Sequence, residues 1–265
     1  MCRLAGFIGH EPITLAALLY DPPHSLEKAA YMPRELVSGT VNVDGTGVAW
    51  WPDEATEPLR YVTTQPPWSD ANLPGLAPAL SGRTVLAAVR SATPGLPFGP
   101  ANVAPFVVDG LAVVHNGSIG GFCGAVGRQL LAGLSDERFG QMTAMNDSQA
   151  LALLVAQHVE DEPGADLAQT VTAAIHTTAK IVTAAGEHAS LNLAVAAREE
   201  IVVVRTSAGT ALNSLYTRHT PQGSWVASEP LDGSSEWTPA PEHSLTVLTA
   251  DHTAVRQIAH DGMSP

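Results

Sequence analysis

Short apolar runs with strand character fall at the two ends of this 265-residue chain, and helical patterns fall between them. Arg3-Leu4-Ala5-Gly6-Phe7-Ile8-Gly9 is short and largely apolar and predicts a buried strand. Residues 13–20 predict a short helix closed by Asp21-Pro22-Pro23, and residues 24–44, rich in turn formers, predict a wrapping segment. Residues 43–51 read as turn into strand, and 52–82 as a Pro-rich connection with a helix near 70–80. Thr84 to Arg90 and Leu111 to His115 predict strands; the second ends on Asn116-Gly117, a strong turn dipeptide. Helical patterns cover 119–133, 147–160 and 166–186, the second opening on Asp147 or Ser148, both good N-cap types. Residues 191–197 and 201–205 flank Arg198-Glu199-Glu200 as a hairpin, with further strands near 212–218, 223–228, 244–250 and 253–259. This segregated order fits an α+β fold better than alternating βαβ units. No internal repeat or low-complexity linker interrupts it. One domain spanning 1–265 is expected, and 45% apolar residues supply its core.

Charge narrows the partners. Thirteen basic against 26 acidic side chains leave a net charge of −13, which disfavours nucleic acid and anionic membrane surfaces. A cationic or zwitterionic small molecule remains compatible. Cys2 and Cys123 are the two cysteines, so no disulfide framework or zinc spacing is implied, and Cys123 is expected to be a small buried hydrophobe. The ten histidines show no helical metal-ligand spacing, and no metal or cofactor is expected. No basic n-region precedes an apolar stretch, and no run of about 18 apolar residues suggests a membrane span. A reducing, cytoplasmic location follows as the default. Oligomeric state stays open.

Cys2 follows the initiator methionine. Once Met1 is removed, one residue holds a thiol of pKa about 8.5 and an α-amine of about 7.7–8.0. It can then act as both nucleophile and proton acceptor. Position 2 alone is an ordinary frayed terminus. Three further polar segments end strands or start helices: Arg90-Ser91-Ala92-Thr93, His115-Asn116-Gly117 and Asn146-Asp147-Ser148. Singly, each has a structural explanation as surface arginine, turn or helix cap. Together they suit a small-molecule γ-glutamyl amide substrate. A guanidinium grips its α-carboxylate through paired hydrogen bonds, and an aspartate meets its ammonium. An Asn amide with a glycine N–H can form an oxyanion hole, and a thiolate can attack the carbonyl.

The order Cys2, Arg90, Asn116-Gly117, Asp147 resembles the class II glutamine amidotransferase domain, an N-terminal-nucleophile hydrolase. The resemblance implies Cys2 as nucleophile, Asn116 and Gly117 as oxyanion hole, Arg90 on the glutamyl carboxylate and Asp147 on its amino group. Ser91, Thr93 and His115 stand beside them on the substrate side, with His115 a packed residue rather than a base. The implied fold is a four-layer αββα sandwich of two mostly antiparallel sheets flanked by helices.

Several segments are similar, more narrowly, to the γ-glutamyl hercynylcysteine S-oxide hydrolases. They are Met1-Cys2-Arg3, Leu19 to Leu26, Thr40 to Gly45, Trp68 to Leu73, Val89 to Gly95 and Ala227-Ser228-Glu229-Pro230-Leu231-Asp232. That likeness implies an amidohydrolase of ergothioneine biosynthesis that transfers the glutamyl group to water. It also implies a standalone enzyme, with no synthase domain attached. Departures from the family fall at Leu4, Phe7, Thr46 and Ala49-Trp50-Trp51, none of them in the four-part glutamyl site, and leave the leaving-group specificity open. Trp50, Trp51 and Trp68 are candidates for a trimethylammonium group. Trp50 and Trp51 are expected on opposite faces of a strand, at least one in the core, which leaves Trp68 in its Pro-rich loop as the better candidate. A glutaminase-type amidotransferase that supplies ammonia to a separate partner, and a non-catalytic module, are the alternatives.

Overall fold

The computed structural model describes residues 2–53, 55–92 and 98–258. Strand β1 (Arg3–Thr14) leads into helices α1 (Ala16–Leu19) and α2 (Leu26–Tyr31), then β2 (Thr46–Trp51), β3 (Leu59–Thr63), α3 (Leu73–Leu76) and β4 (Ser81–Val89). A 3-10 turn at Pro100–Asn102 precedes β5 (Phe106–Val108) and β6 (Leu111–Ile119). Four helices follow: α4 (Ala125–Ala132), α5 (Asp136–Gly140), α6 (Asp147–Asp161) and α7 (Leu167–Ala184). The last third is β7 (Ala189–Ala196), β8 (Ile201–Arg205), β9 (Ser207–Ala208), β10 (Tyr216–Thr220), β11 (Gly223–Ala227), β12 (Thr238–Pro239), β13 (Ser244–Leu248) and β14 (Thr253–Gln257).

These strands form two sheets. One runs β12-β10-β11-β1-β4-β2-β3, the other β14-β13-β8-β7-β6-β5 with β9 beside β7. The pairings are antiparallel. Strand alternation sorts the side chains into three cores. Leu4, Ile8, Leu86, Ala88, Val114, Ala194, Val203 and Val226 fill the space between the sheets. The opposite face of the first sheet packs Phe7, Val85 and Ala87 against Leu18, Leu19 and Leu26. The outer face of the second packs Val113, Val195 and Val204 against Leu151, Val155 and Ile175. Each sheet is covered on both faces, so its central strands are apolar throughout instead of alternating. The fold is the four-layer α+β sandwich.

Several elements differ from expectation. Strand β1 continues to Thr14, where the pattern predicted a helix over 13–20; only Ala16–Leu19 are helical. Residues 24–44 contain the helix α2, and 52–82 contain the strand β3. Asn116-Gly117 does not turn. It lies inside β6, with Asn116 opposite Asn192 and Gly117 opposite Leu191, because full pairing with β7 outweighs local turn preference. The turn falls later, at Gly121 (φ 67°). Helix α4 starts at Ala125, so Cys123 sits in the preceding turn and is exposed, not buried. Trp50 and Trp51 are both buried, one on the helix side and one between the sheets. Among the described residues no helix is long and apolar enough to cross a membrane.

Candidate active site

Strand β1 lies between β4 and β11, with Arg3 opposite Val89 and Ala5 opposite Ala227. That register sets Cys2, one residue before β1, across from Arg90, one residue past β4. The Cys2 thiol is 3.9 Å from the Ser91 carbonyl oxygen and half-buried. Arg90 is buried and its backbone is pinned on both sides: its N–H donates to Gly45 O at 2.8 Å, and Asp44 N–H donates to its carbonyl at 3.0 Å. The Asp44 carboxylate also accepts the Ala92 N–H at 2.7 Å, bracing the loop after β4.

The second sheet supplies the opposite wall. One pocket is lined by Cys2, Arg90 and Ser91, by His115 and Gly117 of β6, by Asn146, Asp147 and Ser148 at the start of α6, and by Asn102, Ala104 and Phe106. Six of the residues expected at a site therefore share one cavity. Asn116 is fully buried beside it, and its amide nitrogen lies 3.2 Å from Ser228 Oγ. Thr93 lies outside the described residues. Trp68 is not among the lining residues; it is 41% exposed and meets Tyr31 edge-on at 5.2 Å.

Local chemistry orders the α6 end. Asn146, not Asp147 or Ser148, is the N-cap: its Oδ1 accepts the Gln149 N–H at 2.7 Å, while its Nδ2 donates to Asn102 Oδ1 at 2.9 Å. Asp147 is then the first helical residue, where the N-terminal end of the helix dipole favours a carboxylate. Its Oδ2 accepts the Ile119 N–H at 3.0 Å and its Oδ1 the Ser148 N–H at 2.8 Å. Backbone directions alternate along a strand edge, so the Gly117 N–H leaves β6 on the same edge as the Ile119 N–H. Strand β5 pairs only as far as Val113, so among the described residues no strand covers that edge at Gly117. His115 Nε2 lies 2.8 Å from the Ser190 carbonyl, which can only accept, so Nε2 carries the proton. Its Nδ1 lies 3.1 Å from Ser148 Oγ, which is also 3.3 Å from Asp147 Oδ1. Both ring nitrogens are thus engaged, and His115 locks β6 to α6.

A buried ionic cluster holds the start of β1. Arg3 Nε donates to the Cys2 carbonyl at 2.8 Å, and its Nη1 is 3.1 Å from Glu229 Oε1. Glu229 Oε2 meets His24 Nε2 at 2.7 Å and accepts the Arg34 N–H at 2.8 Å, while Oε1 accepts the Glu35 N–H at 3.1 Å. Burial alone would raise the Glu229 pKa. The His24 hydrogen bond, the two backbone donors and the Arg3 charge outweigh it and hold the carboxyl down at about 2. Sequence reasoning missed the roles of Arg3, Glu229 and Ser228, and also Asn102 and Phe106. The first three do lie within the segments that carried the family resemblance. No signal marked the last two.

No family model matches the chain. A class-II glutamine aminotransferase domain protein from Silicibacter pomeroyi superimposes with a TM-score of 0.71 at 25% identity, over 97% of this chain and 100% of that one. The fold is that of the class II glutamine amidotransferases, the N-terminal-nucleophile hydrolase sandwich. Gamma-glutamyl-hercynylcysteine sulfoxide hydrolase of Mycolicibacterium smegmatis is 33% identical over 255 residues, 96% of this chain and 99% of its own. The protein of that name from Mycobacterium tuberculosis is 31% identical over 250 residues, 94% and 93% of the two chains. The chain belongs to this family of hydrolases.

Proposed function

We propose that the chain is a cysteine-dependent amidohydrolase that cleaves the γ-glutamyl amide of γ-glutamyl hercynylcysteine S-oxide in ergothioneine biosynthesis. The observation that carries the reading is the shared pocket. A thiol, a buried arginine, a glycine on a strand edge and a helix-terminal carboxylate line one cavity. In this scheme Met1 is removed first and the freed Cys2 amine accepts the thiol proton. Sγ attacks the γ-carbonyl carbon, and the oxyanion is met by Gly117 N–H and the Asn116 amide. The C–N bond breaks as the amine's proton passes to the leaving nitrogen. Water then attacks the thioester, freeing glutamate and restoring the thiol. Arg90 holds the glutamyl α-carboxylate and Asp147 the α-ammonium.

The test is glutamate release from the conjugate and from glutamine, followed by mass spectrometry. Preferential cleavage of the conjugate is expected. Preference for glutamine would favour the amidotransferase alternative, which the structural neighbour's class supports. Cys2→Ala is expected to abolish turnover while circular dichroism and Tm stay near wild type. Normal turnover in that variant would sink the mechanism.

A further inference from the structure

We propose that Ser228 is the positioning residue that aims the Asn116 amide at the reacting carbonyl, an inference that rests on the function proposed above. Ser228 follows β11, and its Oγ accepts the Leu4 N–H at 2.9 Å. The same Oγ lies 3.2 Å from one end of the Asn116 amide, placed as Nδ2. With nitrogen there, Asn116 Oδ1 is buried without a hydrogen-bond partner among the described residues. Among the described residues Ser228 Oγ serves only as an acceptor, so its own proton has no acceptor there. The two ends of an asparagine amide have the same shape, so the surrounding hydrogen bonds decide the assignment. A hydroxyl carries one proton, and Leu4 N–H cannot take it. Turning the amide lets Ser228 O–H donate to Oδ1, which pairs the hydroxyl proton and leaves the NH2 group as the unpartnered end.

The turned amide has a chemical consequence. Its NH2 group now occupies the position of the orphaned oxygen, with both protons free until a substrate oxygen arrives. Preorganised, unspent donors are what an oxyanion hole requires. Ser228 is itself fastened to the nucleophile strand, since its N–H donates to Leu4 O at 2.9 Å. One residue thereby links the donor on β6 to the strand that begins beside Cys2, across the gap between the sheets.

Neutron diffraction from deuterated wild-type crystals reads the orientation directly. Deuterium on Ser228 Oγ directed at Asn116, with the ND2 group turned away from Ser228, supports the proposal. An ND2 group directed at Ser228 Oγ overturns it, whatever the activity. If the expected deuterium pattern appears in a protein that cleaves no γ-glutamyl amide, the proposed function falls and the orientation stands. A kinetic cycle supplies the second readout. Ser228→Ala is expected to lower kcat roughly 10- to 100-fold with KM little changed, less than loss of the donor itself. In an Asn116→Ala background the same change is expected to cost at most about twofold. Independent, multiplying losses would overturn the proposal.

Discussion

At the scale of single residues, charge and shape separate. Arg90 is buried at the pocket wall with its backbone pinned between Gly45 and Asp44, so a replacement cannot shift to recover lost contacts. Lysine keeps the positive charge and loses the planar fork that grips a carboxylate with two parallel bonds. Arg90→Lys is therefore expected to lower kcat/KM toward γ-glutamyl amides on the order of 10- to 100-fold, with Tm nearly unchanged. Unchanged kinetics would make Arg90 a structural residue. Cys2, Arg90, Gly117 and Asp147, singled out together in the sequence by type and order, line one pocket, and Asn116 is buried beside it. Ser228 was not legible as a site residue. Serine is ordinary at a strand end, and its interest lies in the two groups its hydroxyl meets in space.

At the scale of elements, β6 holds the site's geometry. A Cβ on Gly117 would collide with the Ser190 carbonyl of the neighbouring strand and with the His115 ring. Both are fixed by their own hydrogen bond, so neither yields easily. Gly117→Ala is expected to destabilise the fold by about 1–3 kcal/mol in chemical denaturation and to reduce turnover further than that loss explains. Wild-type stability would show that the β6–β7 pair can spread. The Asn-Gly pair misled as a turn because its local preference is weak beside eight registered pairs between β6 and β7. The helix at 147–160 was legible almost to the residue. Its cap was misassigned by one position, since Asn146, Asp147 and Ser148 all have capping side chains and the choice is made by Gln149 and Asn102.

At the scale of the molecule, Glu229 couples distant segments: β1 through Arg3, the start of α2 through His24, and the following loop through Arg34 and Glu35. Its folded pKa of about 2 lies below the ordinary 4.5, so its contribution is complete above 4.5 and is lost as pH falls toward 2. Glu229→Gln is expected to lower Tm at neutral pH and to flatten the Tm–pH curve between those values. An unchanged curve would assign the acid sensitivity to other carboxylates. The sequence by itself determined the α+β class and the order of the candidate segments, because apolar period and residue type are properties of the chain in one dimension. Tertiary structure alone decided that β1 and β6, in different sheets, approach the same Ser228 hydroxyl and that Trp68 is not among the residues lining the pocket. Sheet stacking and strand parity choose the partner of each buried polar group, and Asn116 finds its partner 112 residues away.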